Sequence, residues 1–378
     1  MKILHVVPSY LPATRYGGPI RSVHGLCRAL AQRGHTVDVF TTNVDGKQNS
    51  RVPLDKPVDI DGVRIRYFQS RHCRRFYYSS SLGKALEEEV ARYDIVHTHS
   101  IYLWPTWKAV HVARQVGLPY VQSPRGMLVK ELIRKKSPFI KTLWISLMEK
   151  KNLHNASAVH VTSDKEASDL EKFDLNLKRV SIIPNGIDAI PRDVSRPDAK
   201  RRQQTVLYLG RINWEKGLDR LVRAVKFVGD ARFILAGNDE ENYWNRLRTM
   251  IDDERVRDRI HYVGPVKGSE KEKLLSSADV LVLPSYSESF GIVLLEAMAV
   301  ACPVIVTPEV GLSSVIRAAR CGIVTEGTPK CLGEAISEAL SDPVALREMG
   351  ERGRHLVEER FTWQSVAKRM EELYKQCI

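Results

Sequence analysis

The chain has 378 residues, 43% hydrophobic and 27% charged, with a formal net charge of +13. Such a length suggests two or three domains with ordinary hydrophobic cores. Six cysteines (27, 73, 302, 321, 331 and 377) stand without a CxxC or a Cys/His cluster, which speaks against a structural zinc motif and against a secreted disulfide framework.

The charge is unevenly placed. Residues 1–196 hold 31 Lys and Arg against 18 Asp and Glu, whereas residues 197–378 hold 27 of each. A basic half can meet nucleic acid, an anionic membrane or a phosphorylated substrate, or can simply serve solubility. Met1–Tyr10 is interrupted by His5 and Pro8, too short for a signal peptide, and reads as a strand. Phe290–Val306 is the longest nearly uncharged run, but it contains Glu296 and Pro303 and is not a bilayer span. A cytoplasmic chain with reduced thiols is expected.

In chain order, Lys2–Val7 predicts a first strand, followed by a loop containing Gly17 and Gly18. Pro19 suits a first helical turn, and Ile20, Val23, Cys27 and Leu30 recur at helical spacing before a strand over Val37–Thr41. This is a βαβ unit whose glycine turn can bring backbone amides close to a ligand, or can be purely structural. It is not GxGxxG, so a dinucleotide fingerprint is poorly supported. Asp59-Ile60-Asp61 spells DxD, but Val58, Ile60, Val63 and Ile65 alternate around Asp61-Gly62, which predicts a hairpin rather than a metal site.

Asp94–Ser100, DIVHTHS, predicts a strand that places His97 and His99 on one face. Either histidine can be structural; a strand-end His facing a cleft suits hydrogen bonding or proton transfer. Another short strand ends in Ser123-Pro124-Arg125-Gly126. Lys130–Lys151 interleaves lysines with Leu143, Trp144, Leu147 and Met148 at helical spacing. Such a helix either packs on its own domain or lies on an anionic membrane. Ser163 and Glu166 suggest a capping box, and 189–204, rich in Pro, Asp and Arg, reads as a linker.

The second half restarts with a strand over Thr205–Leu209, then the loop Gly210–Gly217 with Arg211 and Lys216 ahead of an amphipathic helix. Cations at that place can grip a diphosphate, or can be solvated surface charge. Strands over Phe233–Ala236 and Ile260–Val263 follow, the latter running into Gly264-Pro265-Val266. Asp279–Thr307 then reads strand, loop, helix, strand, with Glu288 in the loop and Glu296 in the helix. Helical side chains lean toward the helix N-terminus, so Glu296 is expected to lean back toward the Glu288 loop, where free amides favour phosphate. The plain alternative is a solvated loop glutamate and a helix glutamate bonded to backbone or to a nearby lysine.

The string ESFGIVLLEAMAVACPVIVT (288–307) resembles the donor-site signature of retaining glycosyltransferases of family 4 (glycosyl transferases group 1), and LGRINWEKG (209–217) resembles their diphosphate clamp. DIVHTH and IIPNGID (182–188) resemble the family's DxxHxH segment and hinge entry, while SPRG departs from the His-Gly of many relatives. The resemblance implies an α/β, GT-B architecture of two Rossmann-like, doubly wound parallel-sheet domains facing across a cleft. Its acceptor-side domain would be 1–188 completed by a helix in 361–378, its linker 189–204, and its donor domain 205–360.

It further implies retaining transfer of a hexose from a nucleotide diphosphate sugar to a hydroxyl, in surface polysaccharide or glycolipid biosynthesis, without a cofactor or metal. The expected donor residues are Gly17, Gly18, Arg211, Lys216, Val266, Phe290, Gly291, Ile292 and Glu296. His99 and Glu288 are expected at the transferred sugar and Arg125 at the acceptor. A lipid-linked or saccharide acceptor and peripheral contact with an anionic membrane fit the basic half; nucleic acid is not expected. The alternatives are a nucleotide-sugar epimerase of the same fold and a non-catalytic nucleotide-sugar-binding subunit.

Overall fold

The structure is a computed structural model that describes residues 1–13, 18–130, 133, 144–188, 203–239 and 241–378. It forms two compact units, Met1–Gly186 with Trp363–Ile378, and Ile187–Thr362.

The first unit is built on an eight-stranded sheet. Its strands are β1 (Lys2–Ser9), β2 (Thr36–Thr42), β5 (Pro57–Ile60), β6 (Val63–Phe68), β7 (Ile95–His99), β8 (Tyr120–Ser123), β9 (Ala158–Val161) and β10 (Val180–Ile182), in the order β10-β9-β8-β7-β1-β2-β6-β5. All neighbours pair in parallel except β5 and β6, the hairpin around Asp61-Gly62, in which Ile60 faces Val63. A separate two-stranded ribbon joins β3 (Val44–Asp45) to β4 (Gln48–Asn49).

Both faces of the large sheet are covered, which is why its strands read as apolar runs. Leu4, Val6, Val96 and Val159 point to one face and pack on the helices Ser80–Glu89 and Trp104–Gln115. Ile3, Val7, Ile95, Val121 and Ala158 point to the other, against the helices Gly18–Gln32 and Trp363–Cys377. The predicted stripe Ile20, Val23, Cys27 and Leu30 is the buried face of the first of these. Trp363 seats its indole against Gly25, where an added Cβ would lie 2.2 Å from the ring, and against Gly186.

Period two also puts His5, His97, His99, Ser123 and His160 on that second face. The sheet register places His5 beside His97, and His99 beside Ser123. A cluster of polar rings is thereby set beneath the helix that carries Tyr374.

The second unit has a six-stranded, wholly parallel sheet in the order β13-β12-β11-β14-β15-β16. The strands are β11 (Thr205–Leu209), β12 (Arg232–Ala236), β13 (Ile260–Gly264), β14 (Val280–Leu283), β15 (Val304–Val306) and β16 (Gly322–Val324). The chain winds outward from β11 through β12 to β13, then returns to β14 and winds the other way. In such a doubly wound sheet the strand order reverses between β11 and β14, and ligands favour the carboxyl ends of the strands at that point. In the first unit the same reversal falls between β1 and β7.

The apolar helix Ile292–Ala299 is buried at Leu294, Leu295, Ala297 and Met298. The apolar run Ile292–Ala301 predicts a helix two residues longer; it stops at Ala299 because Ala301 takes a left-handed φ of 55° ahead of Cys302-Pro303. Among the described residues no helix is long and apolar enough to cross a membrane.

Candidate active site

In the second unit the loops after β11 and β14 meet at the switch point. Gly217 makes the approach possible: its φ is +65°, and an added Cβ would lie 2.0 Å from the Pro284 carbonyl oxygen. The two loops are stitched together. Tyr286 donates its N–H to the Glu215 carbonyl at 2.8 Å, and Arg220 stacks on the Tyr286 ring at 3.6 Å while donating to Pro284 O at 3.2 Å.

This juxtaposition brings Lys216, 8% exposed, onto the Glu288 carboxylate as a hydrogen-bonded ion pair. Glu288 is fixed by its backbone as well: its N–H donates to Glu309 O at 3.2 Å and its carbonyl accepts from Gly311 N–H at 2.8 Å. Two unit charges about 4 Å apart attract by roughly 4 kcal/mol at an effective dielectric of about 20, so the pair holds a little-exposed ammonium at the mouth of the sheet. Nearby, Asn213 Oδ1 and Ser285 Oγ are buried without partners. Arg211 starts the same loop with an exposed side chain, and its carbonyl accepts from Tyr208 OH at 2.7 Å.

Gly291 caps the helix Ile292–Ala299 with a φ of 86°, and Phe290 is buried beside it. First-turn amides lack intrahelical acceptors, so this end presents donors next to Glu288. Glu296 takes a partner from another helix: Lys271, on the helix Gly268–Ser277, donates to Glu296 Oε1 at 2.6 Å. The two carboxylates thus take separate cations, Lys216 and Lys271. Lys271 precedes Glu296 by 25 positions and sits on a different helix, so no local spacing pointed to it. Val266 follows β13 and is half-buried against the core.

In the first unit, Gly18 opens the helix after β1, while Gly17 lies outside the described residues. His99 ends β7 and is 1% exposed. The hydrogen bonds around it fix the tautomers. Arg125 donates to His99 Nδ1 at 3.0 Å, so the His99 proton sits on Nε2 and goes to His5 Nδ1 at 2.9 Å. The His5 proton is then on Nε2, which is buried without a partner.

A second string runs from Tyr374 OH to His97 Nδ1 (2.6 Å), from His97 Nε2 to Ser123 Oγ (2.7 Å), from Ser123 to His160 Nδ1 (2.7 Å), and from His160 Nε2 to the Ile183 carbonyl (2.8 Å). Burial, seconded by the Arg125 charge, lowers His5 and His160 to about 3. Burial also holds His97 and His99 well below the usual histidine range. All four rings are neutral. Ring nitrogens of His5, His97 and His99 lie within 4.8 Å of one another, a spacing a metal could use, but hydrogen bonds engage both nitrogens of His97 and His99.

Arg125 also donates to Asn185 Oδ1 at 3.0 Å. Its loop is held by Glu166, which accepts from Gly126 N–H at 2.6 Å and from the amide and hydroxyl of Thr162 at 2.7 and 2.8 Å. Ser163 caps its helix as expected, accepting from Glu166 N–H at 3.2 Å, while the Glu166 carboxylate also reaches the SPRG loop. Asp61 of the DxD string meets His24 at 2.9 Å, in the hairpin turn.

Comparison with known proteins then covers both units. The family model for Glycosyltransferase Family 4 matches residues 16–189, and that for Glycosyl transferases group 1 matches residues 191–356. The chain belongs to this glycosyltransferase family. An uncharacterised glycosyltransferase of Methanocaldococcus jannaschii is 28% identical, over 99% of this chain and 98% of its own length. A sucrose-phosphate synthase from Thermosynechococcus elongatus superposes with a TM-score of 0.76 at 25% identity, covering 100% of this chain and 99% of that one. Anabaena HepE, crystallised with UDP and glucose, gives a TM-score of 0.73 at 18% identity, with 99% of each chain covered. The fold of this glycosyltransferase is GT-B, and the group 1 match contains the Lys216–Glu288 pair while the family 4 match contains His99 and Arg125.

Proposed function

We propose that this glycosyltransferase moves a hexose from a nucleotide diphosphate sugar to a hydroxyl with retention of configuration, in surface polysaccharide or glycolipid assembly. The observation that carries the reading is the Lys216–Glu288 pair at the switch point, a cation and an acid joined where a doubly wound sheet takes its ligands. HepE, with UDP and glucose bound, lends support through the shared fold.

In this reading Arg211 and Lys216 hold the diphosphate, with the amides of Phe290, Gly291 and Ile292 and with Gly17 and Gly18. They stabilise the negative charge that grows on the leaving phosphate as the glycosidic bond breaks. Lys216 would then exchange one anion for another, so Glu288 is released toward the sugar hydroxyls as the diphosphate arrives. Glu296 bonds the ribose, with Lys271 beside it, and the backbone at Val266 meets the base. His99 and Arg125 serve the sugar and acceptor side. Retention follows from same-face attack with the departing phosphate as base, and the reading assigns no role to a metal. A peripheral place at the cytoplasmic face of a membrane fits the basic first half.

Calorimetry of nucleoside diphosphate binding tests the reading. Lys216→Ala removes a charged hydrogen bond worth about 1.5–3 kcal/mol, so affinity should fall by roughly 10–100-fold. Unchanged affinity would remove Lys216 from the donor site.

A further inference from the structure

Arg125 bonds no carboxylate among the described residues. Among the described residues its guanidinium reaches only neutral acceptors, His99 Nδ1 and Asn185 Oδ1. Glu166, whose charge reaches Arg125, has its oxygens on Gly126 and Thr162 instead. The rings behind the guanidinium cannot supply negative charge either. His99 and His5 pass donors inward one after the other, and the series ends on the buried His5 Nε2–H, which has no acceptor. The region therefore holds more donors than acceptors, and among the described residues no carboxylate bonds the guanidinium, while Arg125 keeps partial access to solvent.

The backbone is arranged to hold it so. Arg125 takes a φ of 55° and Gly126 a φ of 72°, a left-handed pair secured by the Glu166 carboxylate on Gly126 N–H. With Nε and Nη2 on His99 and Nη1 on Asn185, the guanidinium still has N–H bonds to give. A partly buried cation that lacks an acid is costly unless an anion meets it. Because both His99 nitrogens are engaged, Arg125 rather than His99 is the group here with donors to spare.

We propose that Arg125 is the receptor for an oxyanion, carboxylate or phosphate, carried by the sugar or the acceptor that this enzyme handles, a proposal that rests on the glycosyltransferase reading of this unit. A planar fork matches either oxyanion. The anion can come from a hexuronate on the donor or from a phosphate on the acceptor.

Two calorimetric arms separate these sources. The donor arm compares UDP-glucose with UDP-glucuronate, which differ only in a carboxylate. The acceptor arm compares a free hexose with its 6-phosphate, with and without UDP. In at least one arm the anionic member should bind about 10–100-fold more tightly than the neutral one. Arg125→Gln should erase that preference with UDP affinity unchanged, and Arg125→Lys should restore part of it. Equal affinity for neutral and anionic members in both arms, or a preference that survives Arg125→Gln, overturns the proposal. If none of UDP, GDP and ADP binds, the donor reading falls, while the hexose phosphate arm without nucleotide still decides the role of Arg125.

Discussion

Glu288 is held by two backbone hydrogen bonds and one lysine, so little of its position depends on its own rotamer. A group fixed in this way acts by where its charge lies. Glu288→Gln keeps the shape and removes the charge. Turnover should fall by at least tenfold while nucleoside diphosphate affinity changes little, read from kcat in a transfer assay and Kd by calorimetry; undiminished turnover would take Glu288 away from the sugar. The strand pattern placed Lys216 and Glu288 in the loops after β11 and β14 and the family resemblance singled them out, but their pairing with each other was not expected. The Lys271–Glu296 pair was not legible either, since it depends on how two helices from different βα units settle on the sheet. His5 and His160 lie on other strands than His97, so bringing them to its side needed the sheet register, which no local pattern shows. The link from Arg125 to His99 required the left-handed turn at 125–126, which SPRG does not announce.

Between elements, contacts are decided by small residues. The helices Gly18–Gln32 and Trp363–Cys377 meet where Gly25 leaves room for Trp363. A methyl 2.2 Å from the indole must push it aside. Gly25→Ala should therefore lower stability by about 1–3 kcal/mol in urea denaturation, as overpacking does in other cores. An unchanged midpoint would show that the indole can move freely. The basic stretch 130–151 is only partly described. Within it, Trp144 stacks on Phe76 at 6.3 Å and donates to the buried Glu149 at 3.0 Å, so this end packs on its own unit. Phe76 is itself 47% exposed and belongs to a loop with Arg71, Arg74 and Arg75. Lys135, Lys136 and Lys141 lie outside the described residues. Their joint change to Glu should release the protein from sedimenting anionic vesicles, and retained binding would end the membrane reading.

For the molecule as a whole, the neutral histidine cluster gives stability a pH dependence of definite sign. His5 and His160 titrate near 6.5 when unfolded and at about 3 when folded, chiefly through burial. Below 6.5 the unfolded chain therefore binds more protons. Their contribution is complete above that pH and is lost as pH falls toward 3, at up to about 1.4 kcal/mol per pH unit for each ring. Urea midpoints measured from pH 7.5 to 5 should decline, and His160→Gln should flatten the curve; a level profile would contradict the neutral state assigned to the buried rings. Two doubly wound parallel sheets were readable at this scale because alternating strand and helix patterns ran through both halves, and the resemblance of the loop motifs added the GT-B assignment.

Trp363–Ile378 belongs to the first unit although all of Ile187–Thr362 precedes it in the chain. As the polypeptide leaves the ribosome, the sheet of the first unit must wait, one face only partly covered and the His97 ring without Tyr374, until the later unit has been made. The second unit can close first, reversing the usual N-terminal-first order. Nascent chains stalled just before residue 363 should carry a protease-resistant second unit behind a first unit that remains open to cleavage.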